Sequence, residues 1–160
     1  MSCQEGIQSL KFYQDSGFYF INVYLRECIS DEEFITKCKL NQTKLLEIKE
    51  HIKNIDNEFT LSEKTEDDNF VVYRGVRFYH EKNKGYVSTS RSLSVAQKYA
   101  AKDGYIYELR LDKDVPYIDL SVYWAIESEI LLPRYGLVYT IQKQYKVKKN
   151  TYIVLKVTKE

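Results

Sequence analysis

The sequence predicts an α+β fold in which N-terminal helices pack on antiparallel β-sheets. Apolar residues at helical spacing fill residues 1–64, whereas short runs rich in Val, Ile and Tyr fill residues 69–158. Helices and strands are therefore segregated along the chain, which argues against alternating βαβ units and a parallel sheet. At 160 residues, we expect one domain that spans residues 1–160.

The helical part divides into two segments. Residues 9–28 carry apolar side chains at helical spacing and predict a first helix that ends before Ser30. The stretch SDEE at 30–33 has the Ser-x-x-Glu spacing of a capping box and predicts the start of a second helical segment. A polar break near Asn41 predicts that this segment is divided in two. The charged residues 61–69 predict a loop.

The strands are predicted from short β-branched and aromatic runs that are separated by turn residues. These runs are 69–79, 84–90, 104–111, 115–120, 124–132, 136–147 and 151–157. One helix interrupts them and is expected to start at Ser94, with Gln97 completing a cap. Lys148, Lys149 and Asn150 are expected to form the turn of the closing hairpin.

The charge balance favours neither nucleic acid nor membrane as a partner. Lys plus Arg number 24 and Asp plus Glu number 23, so the chain offers no long-range positive field for phosphates. No apolar run approaches the roughly 18 residues that span a bilayer. The opening stretch MSCQEGIQSL lacks the basic-then-apolar pattern of a secretion signal, which predicts a cytoplasmic protein.

The cysteines and histidines indicate neither a disulfide framework nor a metal site. Cys3, Cys28 and Cys38 are odd in number and show no Cys-x-x-Cys spacing. His51 and His80 stand alone, so a zinc site would lack its ligands. We therefore expect no metal and a reducing compartment.

Two glutamates, Glu127 and Glu129, stand in a run that otherwise predicts a buried strand. Side chains two positions apart on a strand share a face, so we expect these carboxylates to project together, about 7 Å apart. Such a pair is unfavourable unless a cationic group lies beside it. Paired carboxylates suit glycosyl transfer, because one stabilises an oxocarbenium-like carbon while the other takes a proton. A strand whose acidic face meets water is the alternative.

An arginine and a run of hydroxyls complete the candidate chemistry. Arg74 lies in an apolar strand just before Gly75, where a backbone can approach a ligand, and a guanidinium can grip phosphates. The alternative is an arginine that reaches the edge of the sheet. Ser88 or Ser90 can hydrogen-bond a carboxylate, or can cap the following turn.

Four stretches in this order resemble the toxin-like mono-ADP-ribosyltransferases of the Arg-Ser-Glu class, in their arginine-specific Glu-x-Glu type. They are the helix GFYFINVYLR at 17–26, the aromatic-Arg-Gly strand 71–76, the Ser-Thr-Ser strand 85–90 and the Glu-x-Glu strand 127–133. The resemblance covers about residues 10–158. It implies the ADP-ribosyltransferase fold, in which N-terminal helices pack on two antiparallel sheets that form an NAD cleft.

The resemblance also implies a function. A transferase of this kind uses NAD as a substrate, cleaves the bond between nicotinamide and ribose, and passes ADP-ribose to a protein side chain. A glutamate at position 127 implies an arginine acceptor on an unidentified protein, as for an effector or toxin-like enzyme. The alternatives are an NAD glycohydrolase with the same site and a catalytically silent NAD-binding interaction module.

Roles for individual residues follow from the same resemblance. Arg74 would hold the NAD phosphates, and Ser88 would hydrogen-bond Glu129. Glu129 would engage the ribose 2′-hydroxyl and stabilise the cationic carbon, while Glu127 would take the proton of the acceptor. The implied cofactor-binding residues are Arg74, Gly75, Asn22, Tyr99, Thr89 and Ser90.

Three further positions depart from the resemblance or leave alternatives open. Asn22 would contact the dinucleotide, but the tyrosine expected four residues earlier is Phe18, so its hydroxyl is absent or supplied by Tyr19. Tyr99 would pack on nicotinamide or, equally, in the core. Trp124 would face the target protein or anchor the core.

Overall fold

The structure is a computed structural model that describes residues 4–28, 30–78, 84–123 and 127–160. Its helices are α1 (Gln4–Phe12), α2 (Phe18–Glu27), α3 (Asp31–Cys38), α4 (Gln42–Leu61) and α5 (Leu93–Ala100). Its strands are β1 (Glu63–Lys64), β2 (Phe70–Val76), β3 (Val87–Ser90), β4 (Tyr105–Leu111), β5 (Pro116–Asp119), β6 (Glu129–Leu132), β7 (Leu137–Val147) and β8 (Asn150–Lys159). Within those described ranges, no helix is long and apolar enough to cross a membrane.

The predicted helix starts are confirmed where side-chain caps define them. The Ser30 hydroxyl accepts a hydrogen bond from the Glu33 backbone N–H at 3.1 Å, as the capping box predicts. The predicted break near Asn41 is the start of α4, because the Asn41 side chain accepts from the Lys44 N–H at 2.8 Å. The first predicted helix differs, since a π-helical turn at Tyr13–Gly17 separates α1 from α2.

The strands form one eight-stranded sheet in the order β1-β5-β6-β3-β2-β4-β8-β7. The α+β class with N-terminal helices is confirmed. The two expected sheets are two parts of this sheet, joined through the single registered pair Tyr73–Ser90 between β2 and β3. The expectation of purely antiparallel pairing is wrong at β4 and β8, which run parallel. The chain passes through β5, β6 and β7 between them, so β8 can return beside β4 in the same direction.

The core explains why β6 is apolar at consecutive positions. Leu131 packs into the cluster formed by the N-terminal helices, together with Phe34 and Tyr86. Ile130 and Leu132 belong to a second cluster within the sheet. Both faces of β6 are therefore buried, and the strand starts at Glu129 with its position fixed from both sides.

The start of α5 differs from the prediction. Its N-cap is Ser92 rather than Ser94, and the Ser92 hydroxyl hydrogen-bonds the Ser94 hydroxyl at 2.8 Å instead of capping a backbone N–H. Gln97 does not close a capping box, since its side chain donates to the Tyr152 hydroxyl at 3.3 Å. The predicted helix is present, but tertiary contacts replace the expected cap.

Two loops also differ slightly from the expected boundaries. The predicted loop at 61–69 contains the short strand β1, which pairs with β5. The closing hairpin turns at Lys148 and Lys149, and Asn150 already belongs to β8. Lys148 has a φ of 55°, the left-handed conformation that a tight turn requires.

Candidate active site

A cavity of about 440 Å³ is lined by the π turn, α2, β2, β3, α5 and the start of β6. The structure brings together there all the predicted catalytic and cofactor-binding residues, namely Glu129, Glu127, Ser88, Arg74, Gly75, Asn22, Tyr99, Thr89 and Ser90. Trp124, the predicted target-recognition residue, lies outside the described residues. Residues far apart in sequence therefore share one concave site.

Glu129 is the first residue of β6 and points its carboxylate into this cavity. Burial raises the pKa of Glu129 above its ordinary value, and the negative charge of Glu127 raises it further. Hydrogen bonds from Ser88 and Gln14 and the charge of Arg74 act in the opposite direction. The carboxylate is thus partly desolvated but held by donors, as expected for a group that meets developing positive charge.

Glu127 reaches the same cavity by a different route from the one predicted. It does not lie on the strand, because β6 begins at Glu129 and Ser128 between them has a φ of 47°. The alternation of side chains along a strand therefore does not apply to the pair. A turn brings Glu127 to the cavity instead, and its backbone carbonyl accepts a hydrogen bond from the Ser90 hydroxyl at 2.5 Å.

A chain of hydrogen bonds links the N-terminal helices to Glu129. The Asn22 side-chain amide donates to the Tyr13 hydroxyl at 3.2 Å, and that hydroxyl lies 3.1 Å from the Ser88 hydroxyl, which hydrogen-bonds Glu129. Tyr13 is buried and begins the π turn, a local widening of a helix that is frequent at functional sites. The hydroxyl beside Asn22 comes from Tyr13 and not from Tyr19.

The Asn22 carboxamide oxygen has no hydrogen-bond partner among the described residues, although it is buried. Unpaired buried polar atoms are rare in folded proteins because their desolvation is costly. Asn22 lines the cavity. The oxygen packs against Gly85, since a Cβ built there would lie 2.8 Å from it, so Asn22 faces the cavity with other atoms of its side chain.

Two arginines, Arg74 and Arg26, also line the cavity. Arg74 donates to the Ser88 carbonyl at 2.8 Å, and Arg26 donates to the Tyr86 carbonyl at 2.6 Å. Burial lowers the pKa of Arg74, and burial together with the charge of Arg74 lowers the pKa of Arg26. Two desolvated guanidinium groups that repel each other are stabilised by an anion such as a diphosphate.

Gly75 has a packing role in addition to its place in the cavity wall. A Cβ at this position would lie 1.7 Å from the carbonyl oxygen of Ala96 on α5. Only glycine lets β2 and α5 approach so closely. The predicted approach was to a ligand, whereas the close neighbour in the structure is α5, so contact of Gly75 with a ligand stays a prediction.

The hydroxyls of Thr89 and Ser90 both bond to the segment that carries the glutamates. Thr89 donates to the Ile130 carbonyl at 2.7 Å, and Ser90 donates to the Glu127 carbonyl. These two residues therefore fix the glutamate segment against β3. Ser88, by contrast, directs its hydroxyl to Tyr13 and Glu129.

Aromatic side chains form the rim of the cavity. Phe18 is 49% exposed and Tyr99 is 54% exposed, and both line the cavity. Tyr99 is therefore not a core residue, which excludes that alternative. Its hydroxyl donates a hydrogen bond to Glu127, and this bond is the main reason why its pKa is raised to about 12.

Sequence reasoning did not assign Arg26, Tyr13 and Gln14, which also line the cavity. Arg26 ends the helical motif that carries the resemblance, so an unassigned arginine there was the available signal. Tyr13 and Gln14 had no comparable signal, because their positions depend on the π turn. A regular helix would direct these side chains elsewhere.

The ADP-ribosyltransferase exoenzyme family matches residues 79–160, about half of the chain. The chain belongs to this family. The family comprises toxin-like, NAD-using transferases, so the cavity is the candidate active site of an ADP-ribosyltransferase. No curated protein matches the chain.

Solved structures of bacterial ADP-ribosyltransferases have the same fold. An ADP-ribosyltransferase from Clostridium botulinum is 16% identical, with a TM-score of 0.70 over 98% of this chain and 88% of that protein. Exoenzyme S from Pseudomonas aeruginosa, solved with human 14-3-3 protein beta and carba-NAD, is 18% identical, with a TM-score of 0.70 over 97% and 74%. The Vis toxin of Vibrio splendidus, solved with agmatine, is 14% identical, with a TM-score of 0.71 over 98% and 75%. At these identities the likeness establishes the fold.

Proposed function

We propose that this ADP-ribosyltransferase cleaves NAD in the cavity and transfers ADP-ribose to an arginine side chain of a protein. The proposal is carried by one observation: two carboxylates and two desolvated guanidinium groups line the same cavity. Cations suit the diphosphate of NAD, and carboxylates suit the positive ribose carbon that forms when nicotinamide leaves. The Exoenzyme S structure is bound to carba-NAD, which supports NAD as a ligand of this fold.

NAD is held in this proposal from both ends. Arg74, with Arg26 beside it, binds the diphosphate. Asn22, which lines the cavity and donates to the Tyr13 hydroxyl, contacts the dinucleotide beside the arginines. Gly75, Thr89 and Ser90 belong to the cavity wall, with Tyr99 at its rim, where its ring can stack on nicotinamide.

Bond cleavage depends on Glu129. Its carboxylate accepts a hydrogen bond from the ribose 2′-hydroxyl and stabilises the carbon that becomes positive as its bond to nicotinamide breaks. The bonding electron pair leaves with nicotinamide, which departs as a neutral molecule. Ser88 keeps the carboxylate in position, and Tyr13 in turn holds the Ser88 hydroxyl.

Transfer depends on Glu127. A guanidinium is cationic and a poor nucleophile, so a carboxylate at the rim both attracts it and accepts its proton as a nitrogen attacks the ribose carbon. The Vis toxin structure contains agmatine, which carries a guanidinium group, and this supports an arginine acceptor here. This protein is proposed to act in the reducing environment of the cytoplasm, which its free thiols Cys28 and Cys38 favour.

The test follows labelled NAD with agmatine or free arginine as the acceptor. We expect ADP-ribosylated agmatine from the unchanged protein. Glu127→Gln should lose most transfer and retain some NAD hydrolysis, because it removes the proton acceptor but leaves Glu129 in place. Equal losses of transfer and hydrolysis would reject the division of roles.

Three other outcomes would change the proposed function. Labelled ADP-ribose that appears only in solution would identify an NAD glycohydrolase. NAD binding without turnover would identify an interaction module. Mass spectrometry of a lysate incubated with protein and NAD should locate the label on arginine, and a label on another residue type would reject the assigned acceptor.

A further inference from the structure

We propose that Tyr99 is a positioning residue for Glu127, and that this contact sets how much ADP-ribose goes to a guanidinium acceptor instead of water. The inference rests on the proposed function. The observation that motivates it is the hydrogen bond from the Tyr99 hydroxyl to one carboxylate oxygen of Glu127 at the rim of the cavity. Tyr99 is thereby given a role through its hydroxyl, separate from any stacking by its ring.

The backbone of Glu127 is held from the same side as its carboxylate. The Ser90 hydroxyl donates to the Glu127 carbonyl at 2.5 Å, and the Arg91 N–H donates to the Ser128 carbonyl at 3.1 Å. Both donors lie just before α5, the helix that carries Tyr99. One continuous segment, 90–99, therefore fixes both the backbone and the side chain of Glu127.

The support under Tyr99 is rigid. Ala96 and Ala100 of α5 are buried against the sheet with Ile106 and Tyr152. The close approach of Gly75 to Ala96 brings the helix directly onto β2. A side chain on such a packed helix holds a partner more accurately than a side chain on a mobile loop.

The hydrogen bond from Tyr99 opposes the repulsion between the carboxylates of Glu127 and Glu129. Glu127 and Glu129 carry like charges in one cavity, so repulsion favours rotation of the Glu127 side chain away from Glu129. A neutral hydroxyl donor opposes that rotation and occupies one oxygen, which leaves the second oxygen for the acceptor. A tyrosine hydroxyl is neutral at pH 7 and can donate, and the hydrogen bond to Glu127 raises the pKa of Tyr99 further, to about 12.

The test is Tyr99→Phe, which keeps the ring and removes only the hydroxyl. Agmatine ADP-ribosylation and NAD hydrolysis are measured together with labelled NAD. The ratio of transfer to hydrolysis should fall roughly five- to tenfold, the size expected when a half-exposed, charge-assisted hydrogen bond is lost. The matched control is Tyr135→Phe, a tyrosine that is 62% exposed and outside the cavity lining, which should leave the ratio unchanged.

A second comparison distinguishes positioning from a general structural effect. In a Glu127→Gln background, Tyr99→Phe should change the ratio little, because the carboxylate on which the hydroxyl acts is already gone. An unchanged ratio for Tyr99→Phe alone, or an equal further fall in the Glu127→Gln background, would overturn the inference. Absence of NAD turnover by the unchanged protein would instead reject the proposed function.

Discussion

At the residue scale, the candidate site depends on charges that the fold desolvates. Glu129, Arg74 and Arg26 all have pKa values shifted by burial in the direction that favours their neutral forms. Hydrogen bonds or opposite charges nearby reduce the pKa shift of each group. A cavity that contains both guanidinium and carboxylate groups matches a ligand that carries phosphates and develops a cation.

The raised pKa of Glu129 predicts the acid limb of the pH profile. Because the carboxylate form is the active one in our proposal, nicotinamide release should fall as the pH drops through the raised pKa of Glu129, above its ordinary 4.5. Glu127→Gln removes a charge that raises this pKa, so its acid limb should move to lower pH. The measurement is kcat/KM for nicotinamide release against pH. A limb at or below pH 4.5 in the unchanged protein, or a shift upward in the variant, would contradict the assignment.

Single residues were predictable where their chemistry is unusual for their surroundings. The pair Glu127 and Glu129 and the strand arginine Arg74 were found because charges interrupt apolar runs. Tyr13 and Gln14 were not found, because they are ordinary helix residues in sequence and only the π turn directs them to the cavity. The position of Glu127 was found for a wrong reason, since a turn and not a strand presents it.

At the element scale, α5 connects the sheet to the acidic rim. It packs on β2 at Gly75, follows the hydroxyl-rich strand β3, and presents Tyr99 to Glu127. The predicted cap was Ser94, two residues after the actual N-cap Ser92, which makes no side-chain cap that the sequence pattern could reveal. The packing of the helix, rather than a capping box, determines where it begins.

Gly75→Ala should disturb this connection. The added Cβ meets a backbone carbonyl at 1.7 Å, so the helix must move, and we expect a loss of about 3 kcal/mol in the free energy of unfolding. Urea denaturation measures this loss. Lys98→Ala, on the exposed face of the same helix, is the control and should change stability by less than about 0.5 kcal/mol. Equal stability of the two variants would show that the helix is not fixed at this contact.

At the scale of the whole molecule, the spacing of apolar residues predicted the segregation of helices and strands, and the α+β class is confirmed. The joining of two four-stranded parts through Tyr73 and Ser90 was not readable, because one registered pair leaves no pattern in the sequence. The parallel pair β4–β8 was missed for a similar reason, since long-range strand order depends on packing. The prediction of one domain over residues 1–160 stays a prediction.

The ionised, desolvated carboxylate of Glu129 should lower the free energy of unfolding of the protein at neutral pH. A carboxyl group whose pKa is raised by folding stabilises the protein while protonated, and this contribution is lost as the pH rises through the raised pKa. Glu129→Gln should therefore have a higher Tm than the unchanged protein at pH 7, and the difference should shrink near pH 4. Thermal unfolding at the two pH values measures both. A lower Tm at pH 7 would show that the ionised form is stabilised by folding.

The most direct test of the proposed function is nicotinamide release from NAD by the unchanged protein and by Glu129→Gln. We expect release by the unchanged protein and a loss of about 10²- to 10³-fold in the variant, the size of effect when one electrostatic stabiliser of a transition state is removed. Circular dichroism at the assay temperature confirms that the variant is folded. No release by the unchanged protein, or equal release by both, would contradict the account.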